Sequence, residues 1–205
     1  MEFAQFVLEQ LPPRRRVLEV GCGRKGGVAP ALAEAGHDVV AIDPEPPEGP
    51  LYRRVTLEEF ADPGPFDAVV AGLVLHHVDP LGPALDKLAA LAPLLLVDEF
   101  AWDNMDEPTG DWYESQYRML AAAGHQPDQP PKLVEWEAEH ADLHRYETLR
   151  AEIDARYDEL YFEWRPYLYR LLKGPATETL EAGLITAGAI RPIGFRYVGA
   201  SAATS

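Results

Sequence analysis

The sequence predicts an α/β fold: a doubly wound, mostly parallel sheet with a helical cap insertion. Three observations predict it. Short apolar runs recur at residues 16–20, 39–42, 66–71 and 94–97, separated by helical or loop stretches; strands that are apolar throughout are covered on both faces. The first run, Val17-Leu18-Glu19-Val20, feeds the glycine turn Gly21-Cys22-Gly23. The second ends in Asp43, 20 residues past Gly23. Such a strand, glycine turn, helix and acid-tipped second strand form the front half of a nucleotide-binding unit. The glycines let the backbone approach a ligand, and the acid accepts hydrogen bonds from ribose hydroxyls.

The elements follow in order. Phe3, Phe6, Val7 and Leu11 fall at helical spacing, and Pro12-Pro13 stops that helix. After the first strand, residues 26–35 read as a helix closed by Gly36. Residues 51–55 form a weak third strand and 57–60 a helical turn. The fourth strand is followed by a helix carrying Leu81, Leu85, Leu88 and Leu91, which ends before Pro93. The fifth strand ends in Asp98-Glu99. From 101 to 173 the alternation stops and no strand is expected. Asp111 and Glu114 are placed to cap a helix over 112–120. Tyr146, Leu149, Ile153, Tyr157, Leu160 and Trp164 keep steps of three and four, which predicts one long amphipathic helix. A helix with Leu180, Leu184 and Ile185 then leads to a last strand over 193–198.

Composition narrows the function. The 205 residues suit one domain with an added lobe, and 47% are hydrophobic, enough for a core. Lys and Arg number 18 against 34 Asp and Glu, a formal net charge of -16. That surface disfavours nucleic acid and anionic membranes and suits a small-molecule ligand. One cysteine, Cys22, forms no intramolecular disulfide and fits a reducing compartment. No apolar run reaches membrane length and no basic stretch precedes an apolar core at the start, so the expected location is the cytoplasm.

Several residues are candidates for chemistry. Residues 21–26 match GxGxxG, which alone suggests a dinucleotide. Glu19 shifts the choice: its carboxylate repels a diphosphate and attracts the ammonium of an amino acid. In His76-His77, an imidazole can take a proton from an acceptor near neutral pH, and His76 is the candidate general base. The competing reading packs His76 against the cofactor. His140 and His144 stand four apart, but no further ligands accompany them, so no metal is expected. Asp98-Glu99 sit where a strand's carboxyl end meets a ligand, or simply end the strand. Cys22 reads as a small packing residue. The aromatic residues between 102 and 169 divide between core and a lid over a pocket.

The motifs together resemble class I S-adenosylmethionine-dependent methyltransferases. VLEVGCG resembles that family's glycine motif, AIDPEP its ribose-binding strand end, and FDAVVAGLVLHHV its fourth strand and loop. LLLVDEF resembles its fifth strand, and EAGLITAGAIRPIGFRYVG its closing helix and strand. The resemblance implies a Rossmann-like methyltransferase fold. It implies that Glu19 and the Gly21-Cys22-Gly23 backbone hold the methionine part of S-adenosylmethionine, that Asp43 takes the ribose hydroxyls, and that Pro44 lies near the adenine. Ala71, Gly72 and Leu73 supply backbone contacts near the sulfonium. Lys25 stands where the family's third glycine is expected. Thr56 and Leu57 stand where an acid usually faces the adenine amine, and are carried over as its neighbours.

The reading is therefore a methyltransferase with S-adenosylmethionine as cofactor and a small-molecule acceptor. Residues 1–100 form the cofactor-binding core, 101–173 the helical cap, and 174–205 the helix and strand that complete the core. The glycine turn and Asp43 alone would also serve an NAD(P)-dependent oxidoreductase, or a non-catalytic cofactor-binding or interaction protein.

Overall fold

The run Arg16–Val20 has no polar face to offer water, so it needs neighbours on both edges and cover on both sides. The sheet is built outward from it. A computed structural model describes residues 2–62, 64–125, 133–172 and 175–201. The strands are β1 (Arg16–Val20), β2 (Asp38–Asp43), β3 (Tyr52–Arg54), β4 (Ala68–Gly72), β5 (Leu94–Phe100), β6 (Tyr157–Arg165) and β7 (Gly194–Ser201). They form one sheet in the order β3-β2-β1-β4-β5-β7-β6. The pairs β1–β2, β1–β4, β2–β3 and β4–β5 are parallel. On β7, Ser201 N donates to Pro93 O at 2.7 Å and Ala101 N donates to Ile193 O at 2.6 Å. Those two bonds make β7 antiparallel to β5 and set Arg196 opposite Asp98. The expected doubly wound, mostly parallel sheet is therefore present.

The chain divides into two compact units that interleave along the sequence. One holds the residues through Glu99, Thr148–Phe162 and those from Arg196 onward; the other holds Phe100–Glu147 and Glu163–Phe195. In the first, α1 (Phe3–Gln10) and α2 (Ala29–Glu34) cover one face of the sheet. Phe6, Val7, Leu11, Ala29 and Leu32 pack there with Val17, Val39, Ala41, Ala68, Val70, Leu96 and Val198. The other parity, including Leu18, Val40, Ile42, Val69, Leu95 and Val97, is also buried. Each such side chain contributes roughly 1.5–3 kcal/mol relative to exposure. The helix α3 (Leu81–Leu91) buries Leu81, Ala84, Leu85 and Leu88. Helix α6 (Tyr146–Asp154) begins in the second unit and buries Leu149 and Ile153 in the first.

The second unit contains α4 (Glu107–Ala122), α5 (Leu133–Glu139), α7 (Tyr169–Leu172) and α8 (Pro175–Thr186). The buried Glu181 accepts from Tyr167 N at 2.8 Å, Leu168 N at 3.0 Å and Tyr169 N at 2.8 Å, so one side chain of α8 satisfies the first amides around α7. Phe100 stacks on Tyr167 at 4.8 Å. Trp136 Nε1 donates to Trp102 O at 2.9 Å, and Trp102 Nε1 donates to His144 O at 3.2 Å. No described helix is long and apolar enough to cross a membrane.

Three expectations are corrected here. The three-four spacing from Tyr146 to Trp164 does not make one helix: it is helix α6 followed by strand β6. Four of the nine residues of β6 are aromatic, a type that strands favour, and pairing with β7 decides the matter. Helix α4 starts at Glu107, not 112, because Asp106 is its cap and Pro108 its first-turn residue. Helix α2 starts at Ala29 rather than 26, since Gly26 and Gly27 both hold positive φ in the turn before it. The expected boundary between 173 and 174 lies outside the described residues.

Candidate functional site

Register assembles the site. Parallel pairing sets Val20 beside Ile42 and Ala71, and Gly72 beside Asp98. The residues at these carboxyl ends therefore share one edge of the sheet, where open α/β folds bind ligands. A cleft of about 290 Å³ opens there, lined by Val20, Gly21, Ile42, Asp43, Pro44, Val55, Thr56, Leu57, Glu58, Val74, His77, Val78 and Asp79. All belong to the first unit.

Gly21 is required at its place. Its φ is +76°, and a Cβ there would lie 2.5 Å from Val74 Cγ2. Gly21 N donates to Ile42 O at 2.9 Å, which ties the turn to β2. Asp43, at the tip of β2, accepts from Gly23 N at 2.9 Å through Oδ2 and from Glu45 N at 2.8 Å through Oδ1. One carboxylate thus fixes the glycine turn and its own following turn together. Pro44 O accepts from Arg54 Nη1 at 3.1 Å. Thr56 Oγ1 accepts from Glu59 N at 3.3 Å, and Leu57 is buried.

Glu19 is almost wholly buried, and its two oxygens accept from Val28 N and Ala29 N, each at 2.7 Å. Gly27 lets it do so, because a Cβ at Gly27 would overlap the Glu19 carboxyl. Burial pushes the Glu19 pKa up to about 7, against the two backbone amides, which favour the charged form. Cys22 is buried, and burial together with the Glu19 and Asp43 charges pushes its thiol up to about 12. It is a packing residue without nucleophilic character at neutral pH.

The turn after β4 forms the opposite wall. Ala71 is buried, and a Cβ on Gly72 would lie 3.1 Å from Phe3 Cε1. Leu73 has φ +52°, a left-handed conformation costly for a branched side chain, and its N donates to Asp98 O at 2.8 Å. Glu99 Oε1 accepts from Val74 N at 2.7 Å and Leu75 N at 2.6 Å, and Oε2 meets His76 Nδ1 at 2.6 Å. His76 is buried with its ring 4.1 Å from that of His77. The imidazole that lines the cleft is the exposed His77. Asp98 pairs with Arg196 at 3.1 Å, both buried, and the guanidinium lies 4.9 Å from the Phe6 ring centroid.

Of the residues singled out from the sequence, Gly21, Asp43, Pro44, Thr56 and Leu57 line one cleft. Gly23 joins them through the Asp43 carboxylate. Glu19, Cys22, Ala71, Gly72, Leu73 and His76 form the frame behind it. Besides His77, weighed with His76 as a proton acceptor, seven lining residues are not singled out by the sequence: Val20, Ile42, Val55, Glu58, Val74, Val78 and Asp79. All but Asp79 adjoin residues that are, so proximity in sequence is an available signal, though not for the direction each side chain takes. His140 sits in the second unit with Nδ1 2.7 Å from Trp136 O and its ring 4.1 Å from that of Trp136.

A family model described as a methyltransferase domain matches residues 1–147. No curated protein matches the chain. Among solved structures, it is similar to the Mesorhizobium loti S-adenosylmethionine-dependent methyltransferase at 17% identity, covering 96% of each chain with a TM-score of 0.58. It is similar at 16% identity to the Burkholderia thailandensis 1,6-didemethyltoxoflavin-N1-methyltransferase, which was crystallised with 1,6-didemethyltoxoflavin and S-adenosylhomocysteine; 97% of this chain and 76% of that one are covered, with a TM-score of 0.58. The geranyl diphosphate C-methyltransferase of Streptomyces coelicolor, bound to Mg2+, geranyl diphosphate and S-adenosyl-L-homocysteine, is 14% identical over 97% of this chain and 79% of its own, with a TM-score of 0.58. At these identities the likeness is one of fold.

Burial of Glu19 carries a pH dependence. Its folded pKa lies above the ordinary glutamate value of 4.5, so between there and about 7 the native state holds more protons than the unfolded state. Its contribution to stability is full below the lower value and falls as pH rises to the upper one, by roughly 3 kcal/mol. Glu19→Gln should flatten that fall, seen as a smaller difference in denaturant midpoint between pH 4.5 and pH 8 than in the wild type.

Proposed function

The chain belongs to the methyltransferase-domain family that its residues 1–147 match, and on that premise we propose that it transfers a methyl group from S-adenosylmethionine to a small organic acceptor. The observation that carries the reading is the cleft at the carboxyl ends of β1, β2 and β4, where Gly21 and Asp43 stand together. The fold-level neighbours crystallised with S-adenosylhomocysteine support the choice of donor.

The residues present fit that donor. Val55, Leu57, Val74 and Val78 give the cleft apolar walls suited to a purine ring. Asp43 keeps a further lone pair on each oxygen beside its bonds to Gly23 and Glu45, enough to accept ribose hydroxyls. In this reading Pro44, Thr56 and Leu57 border the adenine. Glu58, one residue beyond the position where the family's acid is missing, lines the same cleft and takes its part toward the exocyclic amine. The Gly21-Cys22-Gly23 backbone takes the methionine part, with Glu19 bracing the turn behind it, and the backbone of Ala71, Gly72 and Leu73 lies toward the sulfonium.

When bound, S-adenosylmethionine supplies a methyl already activated on sulfur. The chain's share is then to align the acceptor and exclude water. His76 is assigned a positioning role, because it is buried and its Nδ1 is committed to Glu99. The net charge of -16 favours a neutral or cationic acceptor over a phosphorylated one. The helical stretch within 101–173 is proposed to choose it. The same charge and the lone buried cysteine support a cytoplasmic protein that acts without nucleic acid or membrane.

Calorimetric titration with S-adenosylmethionine and with NAD tests the donor: binding of the first alone supports the reading, and binding of NAD alone overturns it. Asp43→Ala should weaken S-adenosylmethionine binding by about 1–3 kcal/mol, the loss of hydrogen bonds to a charged group. Unchanged affinity in the folded variant removes Asp43 from the site. Gly21→Val should abolish binding while the protein stays folded by circular dichroism, since its side chain enters the space of Val74. His76→Gln should lower affinity several-fold and leave the pH profile of turnover in place. A fall in turnover of roughly 10²–10⁴ at intact affinity would instead make His76 the general base.

A further inference from the structure

Glu99 ends β5 at the candidate site, yet its carboxylate does not face the cleft. It is 1% exposed, and both oxygens are engaged within the chain. Three of its partners are consecutive: the amides of Val74 and Leu75 and the ring of His76. Those residues make the turn whose Val74, His77 and Val78 wall the cleft. The turn needs holding. It opens with Leu73 at φ +52°, and a left-handed leucine is stable only where its surroundings over-determine it. The Val74 and Leu75 amides have no strand partner once β4 ends, and a buried amide left unbonded is costly. Glu99 meets both requirements with charge-assisted bonds, which are stronger than neutral ones. The turn also meets the glycine motif: Val74 occupies the space that any side chain on Gly21 would take. Its position therefore sets the width of the cleft on the side of the glycine turn.

We propose that Glu99 is a positioning residue for the methyl-donor site, a latch that holds the β4 turn closed over the glycine motif through Val74, Leu75 and His76. The proposal rests on the reading of the cleft as the donor site. It makes Glu99 a determinant of donor affinity without contact with the donor. It also gives His76 a reason to be a histidine: its Nδ1 carries the third bond of the latch and sets the orientation of the ring beside His77.

Three variants test it: Glu99→Ala, Glu99→Gln, and Leu149→Ala as a comparison, which loses stability through a fully buried α6 side chain of the same unit. Two measurements are made on each, calorimetric affinity for S-adenosylhomocysteine and amide hydrogen exchange of the unliganded protein. Glu99→Ala is expected to bind at least tenfold more weakly and to exchange the Val74 and Leu75 amides at least tenfold faster, with β1 and β2 still protected. Glu99→Gln keeps an oxygen for the two amides and should lie between Glu99→Ala and wild type on both readings. Leu149→Ala should bind within twofold of wild type.

The proposal is overturned if folded Glu99→Ala binds like wild type, if its Val74 and Leu75 amides stay protected, or if Leu149→Ala loses as much affinity. Should Glu99→Ala fail to fold, Glu99→Gln decides: wild-type exchange and affinity together overturn the latch. Exchange needs no ligand, so the two readings separate. A wild type that does not bind S-adenosylhomocysteine sinks the donor assignment, while faster exchange in the variants still supports the latch.

Discussion

Parallel strands that end side by side leave a row of backbone amides with no partner in the sheet. In this protein, carboxylates supply the partners. Glu19 serves the first amides around α2, Asp43 serves Gly23 and Glu45, and Glu99 serves Val74 and Leu75. The rest of the carboxyl edge depends on these bonds. They hold three turns in conformations that the local sequence alone would not keep, including the left-handed Leu73. The cost is the burial of charge. It is lowest where a carboxylate accepts two or more N–H groups, because those dipoles replace much of the lost water.

The cleft is a consequence of the same arrangement. One wall is the glycine turn after β1, the other the latched turn after β4, and Asp43 closes the tip of β2 between them. Gly21 is the contact at which the two walls touch, through Val74. The cleft walls are largely apolar, with Asp43, Glu58, His77 and Asp79 as the ionisable groups among the lining residues. Charge also explains the neighbouring pair Asp98–Arg196. Asp98 would otherwise be a third buried acid at this edge, and an arginine opposite it on β7, lying over Phe6, neutralises it.

Some elements were legible because their signals are local. The strands β1, β2, β4 and β5 carry short apolar runs, and glycines and prolines flank them, so type and order can be read directly. The glycine turn and the acid 20 residues later placed Gly21 and Asp43 in one site before any contact was known. Where two structures satisfy one pattern, the reading failed. Tyr146, Leu149 and Ile153 keep helical steps, and the same spacing continues through Tyr157, Leu160 and Trp164, where the chain is a strand. Spacing could not separate them, since pairing with β7 is a contact between residues far apart in sequence.

The sequence by itself determined the α/β class, the parallel centre of the sheet, and the residue types at the carboxyl edge, because periodicity and turn chemistry act over a few residues. Tertiary structure decided what those residues do. Glu19 reads as an acid ready for a ligand and Glu99 as one that meets a ligand or simply ends its strand, yet each is turned inward onto backbone amides 9 and 24 or more residues away in the chain. His76 and His77 are neighbours of one type, and only the fold buries the first against Glu99 and leaves the second on the cleft. Which way a side chain faces at a turn is fixed by what packs behind it, and that partner is supplied by another strand.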